Sequence, residues 1–256
     1  MSPNSVLLML GLAAVLALGC WILFRYGRTS TEYRTLLIDA DGTLFDFDRS
    51  ERAALTDALA HFGIAVGDEI YELYHRHNDD CWKAKERGEL TWDQLRVERF
   101  ARTFADLEVP ADPADATRIY EECLGHYQYP YPKVEKVCEK LSRKYDLYIV
   151  TNGLEKVQTA KLRLTTVPQF CKGVYISETV GVAKPAKEFF DAIFAEHPEI
   201  DPKTTLIIGD SLTSDMKGGN NAGIATCWVH RLKDPVPEGV RINMRIEKFT
   251  DVERVL

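Results

Sequence analysis

Downstream of residue 34, short apolar runs alternate with stretches where apolar side chains recur at every third or fourth position. The first run, Leu36, Leu37 and Ile38, leads into Asp39-Ala40-Asp41 and a Gly42-Thr43 turn. A short apolar run bounded by turn residues reads as a buried strand of a parallel sheet. Comparable runs lie at 147–151, 174–177, 205–209 and 224–229. Helical spacing fills the intervals at 133–144, 155–164, 186–196 and between Asp215 and Ala222. Strands alternating with helices predict an α/β fold, a doubly wound parallel sheet with right-handed crossovers.

Four helical patterns in a row interrupt that alternation directly behind the first strand. Residues 45–48 read as a short loop over the strand end. Ala54, Leu55, Ala58, Leu59 and Phe62 then mark the first helix, stopped by Gly63. A second spans 68–87 before Gly88. Thr91 and Gln94 have the form of a capping box opening a third, with Leu95, Phe100 and Phe104 inside. Asp112-Pro113 starts the fourth, with Ile119, Tyr120, Cys123, Leu124 and Tyr127 at helical spacing. Residues 129–132, Tyr-Pro-Tyr-Pro, form the return linker. The division expected is a core of 35–49 and 129–256 with a helical insert at 50–128.

Residues 1–34 stand apart. Residues 6–24 are an unbroken apolar, uncharged run, about 28 Å long as a helix and close to a bilayer core. Arg25, Arg28 and Arg34 follow it, so the positive-inside rule keeps the remaining chain on the cytoplasmic side of a single N-terminal anchor. A cleaved signal peptide fits less well, because no basic residue precedes the run. A soluble cytoplasmic protein, with the run unused or removed, is the alternative.

Charge narrows the partners. The 256 residues carry a formal −7; Arg25, Arg28 and Arg34 against Glu32 give residues 1–34 a charge of +2, so the rest carries −9. That acidity speaks against DNA or RNA and suits a protein that gathers divalent cations. The six cysteines show no C-x-x-C pair or histidine partner at zinc spacing and read as reduced core thiols. The six histidines lie apart from the motifs below and read as structural or exposed.

Three predicted strands end in polar residues. Asp39 and Asp41 follow the first, Thr151 and Asn152 the second, and Asp210 and Asp215 a later one, while Lys184 stands in a loop ahead of the helix at 186–196. Parallel sheets bind ligands at the carboxyl ends of their strands, so these groups converge on one edge. Residues two apart in an extended chain face the same way, which directs Asp39 and Asp41 to one site. Two carboxylates that close repel and call for a cation or a shared proton. Each element alone is weak; their convergence carries the argument.

Asp39-Ala-Asp-Gly-Thr43, Thr151-Asn-Gly, Lys184-Pro and the stretch from Gly209 to Asp215 resemble, in order, the four motifs of the haloacid dehalogenase (HAD) superfamily. The resemblance covers about residues 35–250 and implies a Rossmann-like core with a C1-type helical cap at 50–128. Asp41 resembles the phosphatase branch, since the dehalogenase branch lacks an acid there. The stretches from Ile176 to Pro185 and from Gly219 to Trp228 are similar to the noncanonical pyrimidine 5′-nucleotidases of the YjjG/YfnB type.

The resemblance implies a Mg²⁺-dependent phosphomonoester hydrolase. Asp39 and Asp210 would ligate Mg²⁺ by carboxylate, Asp41 by its backbone carbonyl, and Asp215 directly or through water. Asp39 would be the nucleophile and Asp41 the acid–base group, with Thr151, Asn152 and Lys184 on the substrate phosphate. The expected substrate is a small phosphorylated metabolite, a pyrimidine nucleoside monophosphate. Phosphoglycolate or a sugar phosphate is the first alternative; an inactive, membrane-tethered binding module is the second. Trp82, Trp92, Tyr71, Tyr74 and Phe47 offer surfaces for a base, though each reads first as packing.

Overall fold

The computed structural model describes residues 32–230 and 235–256. The apolar run at 6–24 lies outside them; among the described residues no helix is long and apolar enough to cross a membrane.

Six parallel strands form one sheet in the order β3-β2-β1-β4-β5-β6. They are β1 (Thr35–Ile38), β2 (Asp146–Thr151), β3 (Gly173–Ile176), β4 (Thr205–Gly209), β5 (Ala225–Val229) and β6 (Met244–Ile246). The strand residues of β1 and β4 are buried throughout, as expected when helices cover both faces of a sheet. Alternate residues serve opposite faces. Leu36 and Ile38 join Leu147, Ile149, Leu206 and Ile208 under helix α5 (Val134–Ser142) and the C-terminal Phe249 and Val252. Leu37 joins Tyr148, Val150 and Ile207 under α7 (Lys187–Glu196), through Phe189, Phe190 and Ile193. Each such side chain fully buried contributes about 1.5–3 kcal/mol. The sixth strand goes beyond the sequence expectation: with three residues it is too short to show a pattern.

The insert is four helices: α1 (Phe47–Ala60), α2 (Asp68–Glu86), α3 (Trp92–Asp106) and α4 (Pro113–Leu124). They enclose a separate apolar cluster that includes Ala54, Leu55, Tyr74, Phe100, Phe104 and Tyr120. Both halves of the Thr91/Gln94 capping box form, and Asp112 caps α4. The loop expected at 45–48 stops at Asp46, and Phe47 and Asp48 open α1, because the Asp46 side chain accepts from the Arg49 N–H and caps the helix at Phe47.

Two crossing segments join insert to sheet. They run side by side, with Asp46 N–H donating to the Tyr129 carbonyl (2.8 Å) and Tyr131 N–H to that of Leu44 (3.0 Å).

Candidate active site

Strand register fixes the site. Ile38 pairs with Ile149 on one side and Ile208 on the other, so β1, β2 and β4 end at one edge. Asp39 follows β1, Thr151 ends β2 and Asp210 follows β4. Carboxylate oxygens of Asp39, Asp210 and Asp215 lie within 4.8 Å of one another. Asp215 is fully buried at the turn after β4, where its Oδ2 accepts from the Ser211 N–H (3.1 Å).

Two glycines make that crowding possible. A Cβ on Gly209 would fall 2.2 Å from Asp215 Oδ2, and one on Gly42 only 2.3 Å from Asp210 Oδ2. Gly42 also has φ +87°, a left-handed conformation that side chains disfavour.

Lys184 supplies the positive charge. Its Nζ is buried and donates to Asp39 Oδ1 (2.6 Å), Asp215 Oδ1 (2.7 Å) and the Val150 carbonyl (2.9 Å). Burial works against its charge, but Asp215 and Asp39 outweigh that and push its pKa up. One ammonium does not neutralise three carboxylates. Burial, with Asp215 and Asp210 beside it, holds the Asp39 pKa well above the carboxylate range despite Lys184. Burial and Asp215 push Asp210 up to about 7. Hard oxygen donors this close, with surplus negative charge, fit a divalent cation such as Mg²⁺.

The Asp41 carboxylate leaves this group. Strand β1 ends at Ile38 and the chain turns at Ala40, whose carbonyl accepts from the Leu44 and Phe45 N–H groups (2.9 and 3.0 Å), so the strand alternation expected to align Asp39 with Asp41 does not run through them. The two carboxylates diverge. Asp41 Oδ1 accepts from Lys161 Nζ (2.6 Å) and Oδ2 from Gln158 Nε2 (2.7 Å), both on α6 (Glu155–Leu162). Lys161 and Gln158 escaped the sequence reading. Their signal was present: with Val157 and Leu162 they form the inward stripe of a short helix, where a lysine needs a partner.

Thr151 is buried at the end of β2. The Asn152 side chain braces the Lys184 loop, its Nδ2 donating to the Lys184 carbonyl (2.8 Å) and its Oδ1 accepting from the Lys184 N–H (2.9 Å). The expected phosphate contact for Asn152 is thus a side chain occupied at both ends by backbone.

A cavity of about 240 Å³ runs from Asp41, Asn152 and Asp210 up to the helical insert. Phe47, Trp82, Trp92, Leu95 and Leu124 give it an apolar wall. Trp82 and Trp92 meet edge to face, 5.3 Å between centroids. Tyr71 and Tyr74, by contrast, pack in the insert's interior. Arg96 and Arg99 also line the cavity, but Arg96 pairs with Glu121 through two bonds (2.6 and 2.5 Å), and Arg99 donates to Asn78 Oδ1 (3.2 Å). A larger hollow, about 510 Å³, adjoins it at Gly42, Phe47, Asp48 and Asp210 and is lined by neither Asp39 nor Asp41.

Residues 33–223 match the model of the haloacid dehalogenase-like hydrolases. The chain is 36% identical to the putative HAD-hydrolase YfnB of Bacillus subtilis, over 88% of this chain and 95% of that protein. The crystal structure of YfnB bound to magnesium superposes with a TM-score of 0.84 at 33% identity, covering 88% of this chain and 99% of that one. The pyrimidine 5′-nucleotidase PynA of Streptococcus pneumoniae is 34% identical over 77% of this chain and 83% of its own length. YjjG, a pyrimidine 5′-nucleotidase of Escherichia coli, is 28% identical over 86% of this chain and 96% of its own. With its sheet edge of Asp39, Lys184, Asp210 and Asp215, the chain belongs to the haloacid dehalogenase-like hydrolase family.

Proposed function

We propose that the protein is a Mg²⁺-dependent phosphomonoesterase acting on pyrimidine nucleoside 5′-monophosphates. The observation that carries this is the junction of two unlike surfaces: a carboxylate cluster with its lysine, and an apolar cavity opening from it. The resemblance to PynA and YjjG supports the substrate class.

Asp39, Asp210 and Asp215 would hold Mg²⁺, with Asp41 contributing its backbone carbonyl as the family resemblance implies. Bound there, the cation offsets the charge that otherwise bars a carboxylate from a phosphate dianion. Asp39 Oδ attacks phosphorus as the bond to the leaving oxygen breaks, giving an aspartyl-phosphate. Asp41 gives its proton to the leaving oxygen. Water then attacks the aspartyl-phosphate, its proton passes to Asp41, and inorganic phosphate leaves with Asp39 restored. Lys184 and the Thr151 hydroxyl stabilise charge on the transferring phosphoryl group. Asn152 fixes the backbone that carries Lys184.

The cavity wall favours a base over a small acid. A nucleobase stacks on faces such as those of Trp82 and Trp92, worth about 1–3 kcal/mol. A phosphoglycolate carboxylate would need a free cation, and Arg96 is already committed to Glu121 and Arg99 to Asn78. The test is a kinetic screen with Mg²⁺ and after chelation. UMP, dUMP or dTMP is expected to exceed phosphoglycolate and hexose phosphates at least tenfold in kcat/KM, about 1.4 kcal/mol of transition-state binding. Activity is expected to vanish on chelation and return with Mg²⁺. A tenfold preference for phosphoglycolate would overturn the nucleotidase assignment, and undiminished activity in chelator would overturn the metal requirement.

A further inference from the structure

Lys161 is the one buried lysine besides Lys184 among the described residues, and its side chain has no exposure at all. Its Nζ forms its ion pair with Asp41 Oδ1 at 2.6 Å, above the Phe47 ring at 5.2 Å. One turn earlier on α6, Gln158 Nε2 donates to Asp41 Oδ2 at 2.7 Å. The two donors sit at i and i+3, so they project from one helix face and grip both carboxylate oxygens. The Asp41 side chain is 19% exposed, and it borders the cavity above the carboxylate cluster.

This grip is an expensive way to fasten a loop. A buried ammonium needs a partner, and the Gln158 Oε1 is buried with no hydrogen-bond partner. A leucine at either position would fill the same inward stripe without those costs. The turn from Asp41 to Phe45 is in any case secured by its own backbone, through Gly42 N–H to the Phe45 carbonyl (2.8 Å) and Leu44 N–H to that of Ala40 (2.9 Å). What Lys161 and Gln158 add is a fixed direction for one carboxyl group.

We propose that Lys161 and Gln158 are positioning residues that hold the Asp41 carboxyl group toward the leaving oxygen of the substrate. Each carboxylate oxygen has two lone pairs, so an oxygen that accepts from α6 keeps another directed at the cavity. Released from that grip, the carboxyl group swings among rotamers, and proton transfer waits for one of them. The same helix carries Val157 into the apolar cluster of the insert, so the part that aims Asp41 also borders the leaving-group side of the cavity. This inference rests on the reading of Asp41 as the acid–base group.

The test compares leaving groups. The oxygen of a nucleoside leaves as an alkoxide and needs a proton; p-nitrophenolate is stable without one. Lys161→Met is expected to lower kcat for UMP at least tenfold, with KM and calorimetric affinity for inorganic phosphate within twofold of the parent. The pre-steady-state burst of p-nitrophenolate is expected to slow far less than turnover of UMP. Lys161→Arg should recover part of the loss, and Gln158→Leu should show the same pattern more weakly. In an Asp41→Asn background, Lys161→Met should cost no more than a further twofold. UMP turnover within twofold of the parent in folded Lys161→Met, or equal losses with both leaving groups, would overturn the proposal. If Lys161→Met does not fold, Gln158→Leu decides by the same two measurements. Full activity of Asp41→Asn on UMP would instead show that the acid–base reading itself fails.

Discussion

The sheet edge and the cavity above it solve opposite problems. At the edge, Asp39, Asp210 and Asp215 crowd around a single lysine, and burial drives the pKa values of Asp39 and Asp210 upward. In the insert, opposite charges are matched, Glu51 with His75 and Arg96 with Glu121, and the Asn78 amide donates to Glu51 as well. The edge is left with unbalanced charge, and this is the mark of a place that expects a ligand. The insert pairs these charges within itself and presents apolar faces to the cavity. On the proposed function, chemistry common to all phosphate esters would belong to the edge, and discrimination among leaving groups to the insert.

The sharpest way to test that division is to remove the proposed nucleophile. Asp39→Asn should abolish turnover of every substrate alike, by about 10⁵–10⁶-fold as for the loss of other catalytic nucleophiles. Stability should move the other way. Because the Asp39 pKa is raised, the ionised carboxylate opposes folding above its ordinary range, and a neutral amide removes that opposition. Without divalent cation at pH 7 to 8, Asp39→Asn is expected to melt no lower than the parent. Steady-state rates on UMP and p-nitrophenyl phosphate, together with melting curves, check both halves. Selective loss on UMP alone would break the division.

Trp82→Ala examines the other side. Truncating one face of the edge-to-face pair removes stacking surface without touching the carboxylates. About a tenfold fall in kcat/KM for UMP is expected, equivalent to about 1.4 kcal/mol. The rate on p-nitrophenyl phosphate at saturating substrate should change much less, because the phosphoryl site is intact. A uniform loss on both esters would place Trp82 with the sheet edge rather than the cavity.

How far the sequence alone foretells this division depends on the range of the interactions. The strand ends are local facts, so Asp39, Thr151 and Asp210 can be placed at one edge from three apolar runs and the rule for parallel sheets. The four helices of the insert are equally local, and the capping signals at Thr91 and Asp112 are realised as written. The partner of Asp41 lies 120 positions away, and only the inward place of Lys161 in its helical stripe hinted that one existed. Trp82 and Trp92 look like packing residues, because helical spacing gives a direction and not what lies beyond it. Asn152 follows a motif whose position survives while its side chain turns to the Lys184 backbone. Strand β6 has only three residues, too few for any period to register.

The smallest expected effect lies in the insert, at a buried carboxylate and the partly exposed histidine that covers it. His75 Nδ1 bonds to Oε2 of Glu51 at 2.7 Å, and Glu51 is wholly buried on α1 while also accepting from Asn78 at 2.8 Å. The Glu51 hydrogen bond outweighs partial burial and, with the nearby Asp79 and Asp48, pushes the His75 pKa up to about 9. A histidine raised in the folded state stabilises the fold fully below its unfolded value of about 6.5 and loses that contribution as pH rises through about 9. The ring is a third exposed, so solvent screening reduces the contribution to about 1 kcal/mol. In a domain of this size that corresponds to a difference of about 2–4 °C in melting temperature. His75→Gln keeps a donor for Glu51 but cannot titrate. The parent's advantage over His75→Gln should therefore be largest at pH 6 and fade by pH 10, while kcat on UMP at pH 7 stays within twofold. An advantage that grows with pH would reverse the sign of this argument, and a large loss of kcat would show that the insert's interior is not insulated from the chemistry at the sheet edge.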